Sequence, residues 1–360
     1  MMKEPRLTIC GVMSGSSMDG LDMAICQFDQ DSEENINWYI QESITAQFPD
    51  QLIKDILDAY TSSSSFIYQV EQQFSEFCAK ALNSFFGNHK VDYVAFHGHT
   101  IFHEPQNGYT TQIGNAHHIS QRLDIPVIAQ FRNKDVSLGG QGAPLAPIVE
   151  KYLFKDYSAF LNLGGIVNIS LHNENIVAYD ITACNQALNH LSSIHYNKKF
   201  DENGDIASIG KLDEKLLEKL NQLEFLNQKP PKSLSNTWVQ NKFNPILDKH
   251  ESSPEDKMNT VVQHIAKEVA NCCQSLDNGS TVLASGGGVH NVYMMERISH
   301  ELKSKGISLK QPSHQISEFK EALLMALMGY LRVNEQPNCI ASVTGASRDS
   351  VGGTIYHPDL

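Results

Sequence analysis

The sequence predicts an α/β protein of two domains with a ligand held between them, and three observations carry that expectation. The chain has 360 residues, more than one hydrophobic core commonly organises. Short apolar runs alternate with segments of helical periodicity in both halves. Glycine-rich turns directly follow apolar runs at Gly15–Gly20, Gly164-Gly165 and Gly286–Gly288. Loops at the carboxyl ends of strands line the ligand crevices of α/β folds. Each half opens on strand, glycine turn, strand, and ends on a strand with a glycine-rich turn.

In chain order, residues 7–43 read as three strands, the third containing Trp38, Tyr39 and Ile40. Leu52, Ile53, Ile56 and Leu57 recur at helical spacing, as do Phe66, Val70, Phe74, Phe77, Cys78 and Leu82, with Thr61–Ser65 as a loop or cap between them. Val91–Phe96, Thr110–Ile113 and Ile125–Ala129 are strand-like, and the last empties into Phe131-Arg132 and Gly139-Gly140-Gln141-Gly142-Ala143-Pro144. The second half begins with strands at Ala159–Leu163, Val167–Leu171 and Ile176–Tyr179, followed by Asp180 and a helix carrying Ala187, Leu188 and Leu191. A polar stretch from Asn197 to His250 contains helix around Leu216–Leu223. Residues 258–276 form an amphipathic helix, Thr281–Ala284 a strand, and Glu321–Leu331 an apolar helix.

Composition narrows the function. With 41% hydrophobic and 19% charged residues the chain reads as globular rather than disordered. A net charge of −13 argues against nucleic acid as the main partner, since phosphate neutralisation needs clustered Lys and Arg. Seven scattered cysteines without ligand spacing read as reduced thiols of a cytoplasmic protein. The start, Met1-Met2-Lys3-Glu4-Pro5-Arg6, runs straight into a strand without a signal peptide, and no apolar run is long enough to span a bilayer.

Gly11 through Asp22 combines glycines, small hydroxyls and two aspartates. Exposed N–H groups of such a loop form a concavity suited to phosphate, and Asp19 or Asp22 suits a magnesium ion held through water. An ordinary Asp-Gly hairpin turn is the competing reading. No Walker loop is present. Asp180, just past a strand, suits a general base or, more commonly, a helix N-cap. His97, His99, His103, His117 and His118 lack the fixed spacing of a zinc site and read as polar or capping contacts. Arg132, among glycines after a strand, suits bidentate capture of a carboxylate, with a surface ion pair as the alternative.

Several of these segments together resemble the 1,6-anhydro-N-acetylmuramic acid kinases. They are Met13-Ser14-Gly15-Ser16-Ser17-Met18-Asp19-Gly20-Leu21-Asp22, His97-Gly98-His99-Thr100, Gln112-Ile113-Gly114-Asn115, Phe131-Arg132 with Gly139 through Leu145, Leu161 through Gly165 with Asn168, Pro231-Lys232-Ser233, Gly286-Gly287-Gly288 with Asn291, Glu321-Ala322 and Thr344-Gly345-Ala346. The resemblance spans nearly the whole chain. It implies the two-lobed actin-like (ribonuclease H-like) fold with a central cleft, an N-terminal lobe of residues 1–135 plus about 335–360, and a C-terminal lobe of 136–334. It implies ATP and Mg2+, and the opening of an anhydro sugar by water with phosphorylation at O6 during peptidoglycan recycling. By the same resemblance Asp180 is the general base. Gly15, Ser16, Ser17, Met18, Asp19, Gly20, Leu21, Asp22, Gly164, Gly165, Asn168, Gly286, Gly287, Gly288 and Asn291 contact the nucleotide. His97, Arg132, Asn185 and Glu321 hold the sugar. The expected partners are the small sugar and ATP, without nucleic acid or membrane, and a homodimer is left open.

Two departures stand out. Where the family has Asp-x-Gly-Pro-Gly-Asn, this chain has Asp180-Ile181-Thr182-Ala183-Cys184-Asn185. His99 replaces a glutamine and Gln130 an aspartate. A kinase for a different amino sugar, and a non-catalytic nucleotide-binding module of actin-like fold, are the alternative readings.

Overall fold

The computed structural model describes residues 6–15, 18–31, 35–172, 176–230 and 232–358. Ser16, Ser17 and Pro231 therefore lie outside the described residues. The chain runs β1 (Leu7–Ser14), β2 (Leu21–Gln30), β3 (Ile36–Ala46), α1 (Asp50–Ala59), α2 (Ser64–Phe86), β4 (Tyr93–Phe96), β5 (His99–Glu104), β6 (Tyr109–Ile113), α3 (Ala116–Leu123), β7 (Val127–Ala129), α4 (Asn133–Ser137) and α5 (Pro147–Leu153). It continues through β8 (Ala159–Leu163), β9 (Ile166–His172), β10 (Ile176–Ala183), α6 (Asn185–Tyr196), α7 (Asp205–Ile209), α8 (Glu214–Asn221), α9 (Asn236–Trp238), α10 (Asn244–Asp248), α11 (Pro254–Cys272), β11 (Thr281–Ser285), α12 (Val292–Lys303) and β12 (Ser308–Lys310). It ends with α13 (His314–Val333), α14 (Ala341–Thr344) and β13 (Thr354–Tyr356).

Two compact units result: Met1–Phe154 with His314–Leu360, and Lys155–Ser313. The breaks fall at 154/155 and 313/314 rather than at the expected 135/136 and 334/335. The reason is packing. Helix α13 lies along β1 and β2, and α5 lies against α13 and β3, so both helices belong to the first sheet. Gly11 makes the first contact feasible. It is a mid-strand residue, not a loop glycine, and a Cβ there would overlap the Ala322 carbonyl oxygen and sit 2.6 Å from the Ala326 nitrogen.

The two units repeat one topology. In the first, the order is β13-β7-β4-β1-β2-β3; in the second, β10-β9-β8-β11-β12. In each, the first three strands in sequence form an antiparallel meander, and the next two add in parallel beside the first. That is the ribonuclease H-like sheet, present twice. Alternation places Leu161, Leu163, Val167 and Ile169 in the second core, against the apolar stripe of α11 formed by Val261, Val262, Ile265 and Val269. Helix ends are set locally: Asn115 caps α3 by accepting from His118 N, and Asn291 caps α12 by accepting from Met294 N.

Candidate functional site

In the first unit, the turn after β1 is closed by a hydrogen bond from Met18 N to Gly15 O of 3.4 Å. Met18 has φ 59 and Gly20 φ 149. Leu21 is fully buried at the start of β2, backbone included, so this expected nucleotide contact offers no surface to a ligand here. Asp22 lies on β2, where Thr45 Oγ1 donates to its Oδ1 at 2.6 Å. Desolvation raises the Asp22 pKa against that hydrogen bond, with the charges of Glu318 and Asp19 adding to the rise. Glu321, on α13, is raised by desolvation and by Asp22, while Arg132 and Lys320 pull it down.

Arg132 is no surface ion pair. Its Nε donates to His97 Nε2 at 2.9 Å and its NH1 to the Gly142 carbonyl at 2.7 Å. Because His97 Nε2 accepts, Nδ1 carries the proton and donates to Gly98 O at 2.9 Å. Burial first, then the Arg132 charge, pushes the His97 pKa down to about 3, so the ring is a neutral brace for the guanidinium. Gly142 is held in turn by Asp135, fully buried, which accepts from Gly142 N and Thr344 Oγ1, both at 2.7 Å. Arg132, His97, Glu321 and Asp22 therefore share one electrostatic neighbourhood. His99 sits beside it, with Nδ1 hydrogen-bonded to Ser14 Oγ and Nε2 to Tyr60 OH, each at 2.9 Å. His97 also lines a cavity of about 330 Å3 with Gln112, Asn115 and Gln130. No cluster of three His, Cys, Asp or Glu side chains able to hold a metal exists among the described residues.

In the second unit, strand register lines up Ser285, Asn162, Asn168 and Asp180 across four strands. All four are partly exposed, on the face opposite the core residues Leu161 and Leu163. Asp180 lies within β10 rather than past it, and the carboxylate does not cap α6, whose N-cap is Cys184 without a side-chain bond. Instead Leu234 N donates to Asp180 Oδ2 at 2.7 Å and Ser233 Oγ at 3.1 Å. Among the described residues Oδ1 has no hydrogen-bond partner. Thr182, Ala183 and Cys184 keep negative φ, so the segment reaches its place without glycine.

Asn185 spends its side-chain amide on Leu163 O at 3.0 Å, while backbone bonds from Cys184 N and Asn185 N tie α6 to Gly165 O and Gly164 O. Gly286 adopts φ +86 tightly against Leu163 and Asn162, which only glycine tolerates. Gly287 faces open space. Asn185, Phe200, Asp201, Gly287, Gly288 and Asn291 line a cavity of about 470 Å3. Ser233, Leu234, Asp135 and Thr344 were not predicted as site residues, although Ser233 and Thr344 lie in segments that carry the family resemblance.

Two ribonuclease H-like sheets, each with glycine turns and a carboxylate carried on a strand, define an actin-like α/β protein. The family model described as anhydro-N-acetylmuramic acid kinase matches residues 7–358, and the chain belongs to that family of phosphotransferases. The relative from Sulfurimonas denitrificans is 31% identical over 96% of this chain and 98% of its own length. That from Pasteurella multocida is 30% identical over 99% of this chain and 98% of its own. Both carry the name anhydro-N-acetylmuramic acid kinase. A solved structure, the activator of the 2-hydroxyisocaproyl-CoA dehydratase from Clostridium difficile, overlays with a TM-score of 0.39 at 14% identity, covering 91% of this chain and 96% of that one. No helix among the described residues is long and apolar enough to cross a membrane.

Proposed function

We propose that the chain opens 1,6-anhydro-N-acetylmuramic acid with water and transfers the γ-phosphoryl group of ATP to O6, giving N-acetylmuramic acid 6-phosphate in the cytoplasm. The observation that carries this is the hold on Asp180. Leu234 N and Ser233 Oγ fix one carboxylate oxygen and leave the other to take a proton from water. The water oxygen bonds to C1, the C1–O6 bond breaks, and O6 receives the phosphoryl group. Phosphoryl transfer asks the protein for positioning and charge neutralisation more than for covalent chemistry.

The residues present fit ATP. The open side of Gly287 and the cavity at Asn185 and Asn291 suit the nucleoside end, and the turn from Gly15 to Gly20 suits the phosphates. They fit Mg2+ only as a nucleotide-borne ion with Asp22, or Asp19, reaching it through water, because no three-ligand cluster exists among the described residues. Arg132, braced by His97, suits the sugar's carboxylate, and Glu321 suits a sugar hydroxyl.

Asp180→Asn tests the reading. Turnover is expected to fall ~10²–10⁴-fold with ATP binding retained. Near-wild-type turnover refutes the base. A panel of anhydro sugars with and without the lactyl group tests the substrate: equal rates on both would exclude Arg132 as its reader.

A further inference from the structure

A fully buried histidine lies behind the candidate base. His264, on α11, hydrogen-bonds Thr182 Oγ1 through Nε2 at 3.0 Å and Asn221 Oδ1 through Nδ1 at 2.8 Å. A carboxamide oxygen only accepts, so Nδ1 carries the proton, Nε2 accepts, and the Thr182 hydroxyl donates. Burial pushes the His264 pKa down to about 3, which keeps this single tautomer neutral.

Thr182 occupies a particular place on β10. The strand is bulged between Asp180 and Thr182: Asp180 pairs with Asn168 and Thr182 with the next residue, Val167. Ile181 is the extra residue. Bulges re-aim the side chains beside them. Here Asp180 stays on the partly exposed polar row, while Ile181, Thr182 and Ala183 are all buried.

We propose that the chain Asn221–His264–Thr182 pins this bulge from the core and so sets the direction of the Asp180 carboxylate, making Thr182 and His264 positioning residues for phosphoryl transfer. The inference rests on the reading of Asp180 as the base. Leu234 N and Ser233 Oγ hold the carboxylate from one side, and Asp180 N donates to Lys232 O at 3.1 Å. Without an anchor at Thr182, the bulge is free to migrate by one residue, and such a slip turns the aspartate to the other face. An apolar side chain would fill the site of His264 as well. The satisfied polar chain adds a unique arrangement that apolar packing does not specify.

The test uses the full-length protein, with ATP and the anhydro sugar varied separately. Thr182→Val keeps the side-chain shape and removes the donor; His264→Phe keeps a ring and removes both bonds. Each is expected to lower kcat roughly 10–100-fold, as small misplacements of a reacting group do, with both KM values within about twofold. Thr182→Ser, which restores the hydroxyl, is expected to recover kcat. In an Asp180→Asn background, Thr182→Val is expected to add no further loss. A folded Thr182→Val with kcat near wild type overturns the proposal, and so does an equal loss from Thr182→Val with or without Asp180. If His264→Phe does not fold, the Val and Ser variants at Thr182 decide alone. Wild-type turnover in Asp180→Asn refutes the base itself, and it is seen without any change at Thr182.

Discussion

Replacing Arg132 with lysine probes both the stability and the chemistry of the first unit. The guanidinium spends Nε on His97 Nε2 at 2.9 Å and NH1 on Gly142 O at 2.7 Å, geometry that a single ammonium cannot serve at once. His97 is 6% exposed, so its orphaned Nε2 finds little water. An unsatisfied buried acceptor costs about 1–3 kcal/mol, and losing the bond to Gly142 costs roughly another 1. The sum is a drop on the order of 2–4 kcal/mol, read as a lowered urea midpoint at unchanged slope. Under the proposed function the remaining NH2 edge serves the sugar's carboxylate. Losing a charge-assisted bond of about 1.5–3 kcal/mol then raises the KM for the sugar roughly 10–100-fold, with the KM for ATP unchanged. With the Arg132 charge moved, the His97 pKa rises only in part, because burial is the larger cause. A lysine variant with wild-type midpoint and wild-type KM would refute both the bracing and the carboxylate assignment.

Gly11→Ala is expected to destabilise by about 3 kcal/mol or more, since its methyl would overlap the α13 backbone at Ala322; thermal unfolding measures this. Gly287→Ala is expected to leave stability unchanged, because that side is open, yet to raise the KM for ATP several-fold if the nucleotide lies there. Glu321→Gln is expected to lower sugar turnover while raising the melting temperature at pH 7. The sign follows from its raised folded pKa: ionisation opposes folding above that pKa, and the penalty is absent below the unfolded value of about 4.3. The gain should therefore shrink as pH falls toward 4, and a gain independent of pH would refute the electrostatic account.

The sheets were legible because their strands are short apolar runs bounded by turn residues, and the echo between the halves is a true repeat of strand order. The unit boundaries were not. Helix α13 reads as an apolar helix whichever sheet it covers, and the missing side chain of Gly11, some three hundred residues away, shows which one. The end of β10 was misplaced for a different reason. A bulge breaks the period-two alternation on which strand reading depends, so Ile181, Thr182 and Ala183 look like a loop by pattern although they complete the strand.

The same bulge explains why Asp180, the proposed base, was easier to find than its supports. Asp180 stands out locally, as an acidic residue beside an apolar run, and local pattern alone favours it as a cap of α6. What rules out the cap is the company Asp180 keeps: Ser233 and Leu234 lie 53 and 54 residues further on, and the histidine behind Thr182 lies 82 residues away from it. No spacing rule connects positions so far apart, because each falls on a separate element joined only by the sheet and the helix packed on it. The loss of the family's glycines points the same way. Read alone, Thr182 and Cys184 count against a loop that must bend freely. In the folded chain both are buried, Thr182 on β10 with its hydroxyl bonded to His264 and Cys184 at the N-cap of α6 with Sγ 3.8 Å from Met294 Sδ, so flexibility has given way to fixation at this position. A segment held this firmly places its carboxylate with no conformational search, which is what a general base acting on a single water requires.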